Sequence, residues 1–476
     1  MKRCITVVVL MMAVIGLSVA VWPHQSALAA AALDPNHTYK IVNKNSGLVL
    51  GIATATGAVA DQEVDNGATG HLWHFISNRG TSYKIENIGS EAILAIKGAS
   101  TAAGAVATQG GDTGTNDRIW QFSDAGGGYY KIVNQASGLV LGVSGASKAA
   151  GATVLQWTDN GTSDHLWKLV QGGITYPDPV ALSGDSMLRD PSMIKTANGT
   201  YYAFSTSLNP PYKGLEMRSS TDRVHFSNAG FVFKTLPTWT NTYDGGTGDL
   251  WAPDISYHNG KYWLYYAVST FGSEVSAIGL ATSTTAAPGS WADQGIVYTS
   301  AKGTGYNAID PCLIIDASGK YWLSFGSGWR GLNVIQIDPA TGKQLASNLT
   351  RYHVADRTTS KVLEASYIYR HGNYYYLFAS IDACCDASSI YHIIVGRSSS
   401  VTGPYTDKSG LAMLQGGGSI ILSTHGNVIG PGGESIMHDT DGDLIDYQYH
   451  DANNGGLATL GINLLGWDAQ GWPYVH

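Results

Sequence analysis

One phrase recurs five times between residue 185 and the C-terminus: an acidic residue, a short apolar run, a Gly turn and an aromatic strand. The copies read RDPSMIKTANGTYYAFST, APDISYHNGKYWLYYA, IDPCLIIDASGKYWLSFG, LEASYIYRHGNYYYLFAS and GGESIMHDTDGDLIDYQYH. Their turn glycines, Gly199, Gly260, Gly319, Gly372 and Gly442, are spaced 61, 59, 53 and 70 residues apart. A unit of that length is too small to bury its own hydrophobic face, so the units must pack on one another. Five hairpin-bearing units predict a five-bladed β-propeller over residues 181–476.

In a propeller the innermost strands converge on one axis, and residues entering those strands from different blades meet at one end of it. Asp190 and Asp310 each stand nine residues before their turn Gly, and Glu364 stands eight before its own. Three carboxyl groups from distant parts of the chain are therefore expected to face one another. A lone Asp before Pro often only caps a turn, but three acids at equivalent blade positions point to chemistry. Asp254 and Glu434 complete the five-fold pattern. Asp254 lies only six residues before Gly260, so it reads as structural, with Trp251 taking the axial position nine residues before that Gly. Hydrolysis of a glycosidic bond needs an acid for the leaving oxygen, and either a base that activates water or a nucleophile. Burial or a neighbouring charge separates the pKa values of two carboxyls enough to supply both roles.

The chain begins Met-Lys-Arg, runs apolar from Ile5 to Trp22 and continues as SALAAAA, the form of a secretory signal peptide over residues 1–29. Secretion follows, with no membrane contact after its removal. The roughly 445 residues beyond it suit two or three domains. Only 13% of residues are charged, the net charge is −8 and no basic run occurs. Nucleic acid is thereby a poor partner, because phosphate binding needs a concentrated basic surface. Cys312, Cys384 and Cys385 remain after the signal segment and cannot all pair within one chain, so no disulfide framework holds the fold. Adjacent Cys384 and Cys385 either bond to each other or stay as thiols. A monomer is expected.

A second repeat occupies residues 33–171. Trp73, Trp120 and Trp167 are 47 residues apart in both steps, and YKIVN, YKIEN and YKIVN recur ahead of them from Tyr39, Tyr83 and Tyr130. Three similar units of short strands predict a β-trefoil, completing an all-β fold class. The segment resembles the ricin B-type lectins, although the Gln of their Gln-x-Trp signature is replaced by His71, Arg118 and His165. The three Trp read as core. An exposed Trp offers a flat apolar face to a sugar ring, and Asp and Asn bond hydroxyls. Trp157, Asp159 and Asn160 are the expected sugar-binding residues. GGITYPDP, within residues 172–180, reads as the linker.

From about Asp185 to His476 the chain resembles glycoside hydrolase family 43, and within it the endo-1,5-α-L-arabinanases. The resemblance rests on RDPSMI, LWAPDI, YYAVSTFGSEVSAIGLATS, NAIDPCLI, LEASYIY, DACCDASSIYHIIVGRSSSVTGPYTDKSG and GWDAQGWP, in that order. It implies inverting hydrolysis of arabinan or a related plant cell-wall polysaccharide. Asp190 would be the general base, Glu364 the general acid, and Asp310 the group that keeps the acid protonated and helps hold it and the sugar in place. Inversion leaves roughly 6.5–9.5 Å between base and acid.

Trp251 and Phe271 stand where that family carries aromatic subsite walls, and Tyr306 and Asn307 are expected at the same mouth. The chemistry implies no cofactor. A structural calcium is implied by the resemblance alone, with His425 and His450 as candidates that the sequence does not separate, because GPGGES from Gly430 replaces the Gly-Pro-Gly-His of many relatives. Exo-acting arabinofuranosidase or xylosidase activity is the alternative on the same fold. A catalytically dead carbohydrate-binding protein is the alternative of another class.

Overall fold

The computed structural model describes residues 37–476 apart from 53–57, 79–81, 91, 209–213, 358–361 and 387. The expected signal peptide lies outside the described residues. Among these, every regular element is a β-strand or a short 3-10 turn, and none is a helix long and apolar enough to cross a membrane.

Strands from His37 to Thr175 form one twelve-stranded sheet system, the β-trefoil. Its core collects one set of side chains from each repeat: Leu50, Leu94 and Leu141 with Trp73, Trp120 and Trp167, all fully buried. A buried indole needs a partner for its N–H. Here the three Nε1 atoms donate to the carbonyls of Leu50, Leu94 and Leu141 at 3.0, 2.9 and 2.9 Å, the same bond in every repeat. Repeats are also tied to each other. Gln62 Nε2 donates to Ser147 O and Ala149 O at 2.9 Å, and Gln156 Nε2 donates to Ser100 O and Ala102 O at 2.8 and 2.9 Å. Trp120→Ala is expected to cost about 3–5 kcal/mol of trefoil stability through lost burial and an orphaned carbonyl, read as a shifted denaturant midpoint.

The last trefoil strand, Trp167–Thr175, extends into the stretch expected as linker, because His37 pairs with Thr175. Next comes Tyr176, fully buried between His74 of the trefoil, edge-on at 5.3 Å, and His425, stacked at 5.9 Å.

Five sheets follow in chain order, one of five strands and four of four, antiparallel except where Ser183–Gly184 pairs parallel with His225–Phe231. They are the blades of a propeller, with innermost strands Ser192–Lys195, Leu250–His258, Cys312–Ile315, Leu363–His371 and Val428–Asp439. KYWLYYAV in blade two is buried at every residue after its Lys. A strand sandwiched between neighbouring blades has two apolar faces, which is why these segments do not alternate. Blades one and five close the ring without sharing an antiparallel ladder. Leu188, Met193, Tyr201, Met437 and Leu460 share an apolar cluster across the seam. Beside it Asp439 accepts from Lys195, Tyr201 and Arg223 at 2.9, 2.6 and 2.9 Å.

Each innermost strand has a left-handed residue in it or just before it: Asp190 (φ 46°), Ala252 (39°), Asp310 (53°), Ala365 (52°) and, in blade five, Gly433 (63°) after Gly430 (57°). Blades two, four and five add a bulge there, between Trp251 and Asp254, Glu364 and Tyr367, and Gly432 and Ser435. This corrects the alignment by distance from the turn Gly. Asp190 and Asp310 correspond to Ala252, whereas Trp251 corresponds to Glu364, one position earlier. For an L-residue this backbone costs roughly 1–2 kcal/mol, and strain of this kind concentrates at functional sites. The five kinked residues gather around one cleft.

Candidate active site

A cleft of about 620 Å³ opens at the end of the axis where the kinked residues gather. Asp190, Asp310 and Glu364 all line it, brought from blades one, three and four. Trp251, Phe271 and Asn307 line it as expected. Phe271 is 88% exposed, a rim residue with an unpartnered apolar face. Asn307 is buried, with Oδ1 accepting from Ser276 at 2.6 Å, which fixes how it faces the cleft. The structure places Tyr306 elsewhere. Its hydroxyl donates to Thr299 O at 3.1 Å, Arg351 covers its ring at 4.2 Å and its ring packs on Tyr298 and Phe325. Nearness in sequence to Asp310 misled here, because the neighbouring aromatic rings and Arg351 hold Tyr306 away from the cleft that Asn307 lines.

The acids are held by groups that the sequence did not single out. Asp190 receives Thr206 Oγ1 at 2.5 Å on its carboxylate, and its own N–H donates to Gln448 Oε1 at 2.9 Å. Gln448 belongs to blade five, so the ring closure positions this acid. Gly433 lies against it, since a Cβ there would stand 3.0 Å from Asp190 Oδ1. Glu364 receives Ser327 Oγ on Oε2 at 2.6 Å and Tyr391 Oη on Oε1 at 2.8 Å. Asp310 Oδ2 accepts from the Ala365 N–H at 3.0 Å, which fixes it beside Glu364. Trp329, also with a left-handed backbone (φ 37°), adds an aromatic face to the cleft.

Burial raises the pKa of Glu364, with the Asp190 charge adding to it and the Ser327 and Tyr391 hydroxyls opposing it. Asp310 is raised further, by burial first and then by the Glu364 and Asp190 charges. Asp310 and Glu364 titrate as a pair, and burial with mutual repulsion keeps a proton on it above the ordinary carboxylate range.

Two further acids lie behind this pair. Glu434 also lines the cleft but is buried, with Ser380 Oγ on Oε2 at 2.6 Å and no partner for Oε1; burial pushes it up to about 8. Asp254 ties blade two to blade three by accepting the Leu313 N–H at 2.8 Å, and burial pushes it up to about 7. Both therefore hold more protons folded than unfolded between their ordinary values, 4.5 and 3.8, and these raised ones. Their contribution to stability is full below that window and is lost as pH rises through it. Asp254→Asn is expected to flatten the fall in melting temperature from pH 4 to pH 8, removing on the order of a few kcal/mol of pH dependence.

Neither histidine raised with the calcium expectation stands in a cluster of metal-ligating side chains among the described residues. Calcium takes about six to eight oxygen ligands, and among the described residues no group of three or more His, Cys, Asp or Glu is arranged for a metal. Both ring nitrogens of His425 face carbonyls, Ser423 O at 2.6 Å and Pro177 O at 2.9 Å. His450 faces Gly456 O at 3.0 Å, and its other nitrogen is walled off from solvent.

In the trefoil, Trp157 is 43% exposed. Asp159 pairs with Lys131 at 2.5 Å and accepts the Gly161 N–H, while Asn160 accepts from Thr162. The same Lys–Asp pair occurs as Lys40–Asp65 and Lys84–Asp112. Asp159 and Asn160 thus spend acceptors on shaping their loop, and all three residues of the expected trio are exposed.

Residues 179–473 match glycosyl hydrolases family 43. The chain belongs to that family. Residues 30–110 and 116–204 match the ricin-type β-trefoil lectin domain-like family. The family 43 region is 43% identical over 294 residues to an extracellular endo-α-(1→5)-L-arabinanase of Bacillus subtilis, covering 61% of this chain and 88% of that protein. It is 40% identical over 304 residues to an extracellular exo-α-(1→5)-L-arabinofuranosidase of Cellvibrio japonicus, covering 60% and 86%. Among solved structures, the family 43 endo-arabinanase of Bacillus licheniformis superposes with a TM-score of 0.58 at 42% identity, covering 62% of this chain and 99% of that one. The family 43 member described here is a glycoside hydrolase, with its carboxylates on a propeller axis and a lectin-like trefoil in front.

Proposed function

We propose that the enzyme is secreted and cleaves α-1,5-linked arabinan at internal bonds, with inversion. The observation that carries this reading is the convergence of Asp190, Asp310 and Glu364 in one cleft with apolar walls. The similarity to arabinanases named endo-acting and extracellular supports it. Glu364 protonates the leaving arabinosyl oxygen. Asp190, its carboxylate steadied by Thr206, takes the proton of a water attacking C1 from the opposite face. Asp310 keeps Glu364 company as the second member of the protonated pair and holds the sugar. Trp251 and Phe271 meet furanose faces, which suits a polymer without charge. The trefoil holds the catalyst at the polysaccharide and raises its local concentration.

The test is product size over time on debranched linear α-1,5-arabinan. A falling ladder of oligomers with an early drop in viscosity is expected, and proton NMR of fresh product should show the β-anomer first. Arabinose alone from the outset would instead favour the exo reading, which similarity to the Cellvibrio exo-enzyme keeps as the second.

A further inference from the structure

Between the strands Tyr374–Ile381 and His392–Ser398 of blade four, the chain forms part of the cleft wall. Cys384 and Cys385 in this loop are bonded to each other. Both are half-buried, and both line the cleft with Ala383, Tyr391 and Glu364. Cys312 is the separate buried thiol.

The loop is anchored on both sides of the sulfurs. The Asp382 N–H donates to Val362 O at 3.0 Å, and the Ile390 N–H and Ser389 Oγ donate to Ala383 O at 3.1 and 2.9 Å. At its end stands Tyr391, whose hydroxyl holds Glu364. A bond between neighbouring cysteines closes a small ring with the peptide and removes the rotamer freedom of both side chains, so little ordering entropy is left to lose on contact. The surface so made is sulfur, soft and polarizable, without a strong hydrogen-bond donor. The hydroxyls and carboxyls of the site include those of Asp190, Thr206, Ser327, Asp310, Glu364 and Tyr391, so a sugar in this cleft meets polar groups and an apolar wall together.

We propose that the Cys384–Cys385 disulfide is a specificity-determining, substrate-contacting surface, a rigid sulfur face against which the C–H side of an arabinofuranosyl unit rests beside Glu364. The inference rests on the arabinan reading above. Two separate thiols would present mobile side chains with S–H donors and would not give the same face.

The experiment compares wild type, the double variant Cys384→Ser/Cys385→Ser and wild type reduced in the folded state with a water-soluble trialkylphosphine. In that reduction the S–S bond gains two electrons and two protons to give two thiols, and the phosphine becomes its oxide with oxygen from water. Alkylation of unfolded, unreduced wild type should label Cys312 and leave Cys384 and Cys385 unlabelled; labelling of both overturns the proposal. For linear arabino-oligosaccharides, KM should rise about tenfold in the variant and in the reduced enzyme, with kcat within about threefold of wild type. A fall in kcat with unchanged KM would mean that the loop only steadies Tyr391, and overturns the contact. The reduced wild type keeps the test valid if the variant does not fold. Wild-type turnover with unchanged KM in both removes this inference alone, whereas absence of wild-type turnover on arabinan removes the arabinan reading and this inference with it.

Discussion

Glu364→Gln is expected to lower kcat on linear arabinan by about 10²–10⁴-fold, the range that a lost general acid costs. Gln keeps the size of Glu and still accepts one of the two hydroxyls that Ser327 and Tyr391 direct at this side chain. What it lacks is the proton. On an arabino-oligosaccharide bearing a dinitrophenyl leaving group, which departs as a stable anion, the same variant should therefore lose little. An equal loss on both substrates would remove Glu364 from the acid role.

Asp190→Asn should lose activity by a similar factor, about 10²–10⁴-fold, on both substrates. Water must be deprotonated whichever group leaves, so an activated leaving group gives no rescue. Asn also retains an oxygen to accept from Thr206, which leaves the local structure intact. Steady-state rates of the two variants on the two substrates thus form a square with one unaffected corner, and full activity of Asp190→Asn on arabinan would overturn the base assignment.

The architecture was legible because both repeats are periodic over long stretches. The tryptophans at 47-residue intervals mark one position in each trefoil repeat, and the structure buries all three alike. The three cleft acids were legible because each opens a blade. Their partners were not. Thr206, Ser327, Tyr391 and Gln448 sit in other strands or loops, at no fixed distance from an acid, and only the ring brings them within hydrogen-bonding reach. The one-residue offset of Trp251 and Glu364 was hidden by bulges, which add a residue without a compositional mark. For Tyr306, proximity in sequence stood in for direction, and the aromatic cluster around Tyr298 and Phe325 claimed it.

Asp190 and the Gln448 that holds its backbone are 258 residues apart, on either side of the seam between blades one and five. That seam is closed by side chains and a few backbone bonds, and its second half is made last as the chain is synthesised. Contacts of such long range form late and slowly. Competence is consequently the final event of maturation: a nascent or unfolded chain carries every catalytic residue and yet has no catalyst, and a chain shortened within blade five would be inert with its three acids intact. Activity is thereby confined to molecules whose ring is complete.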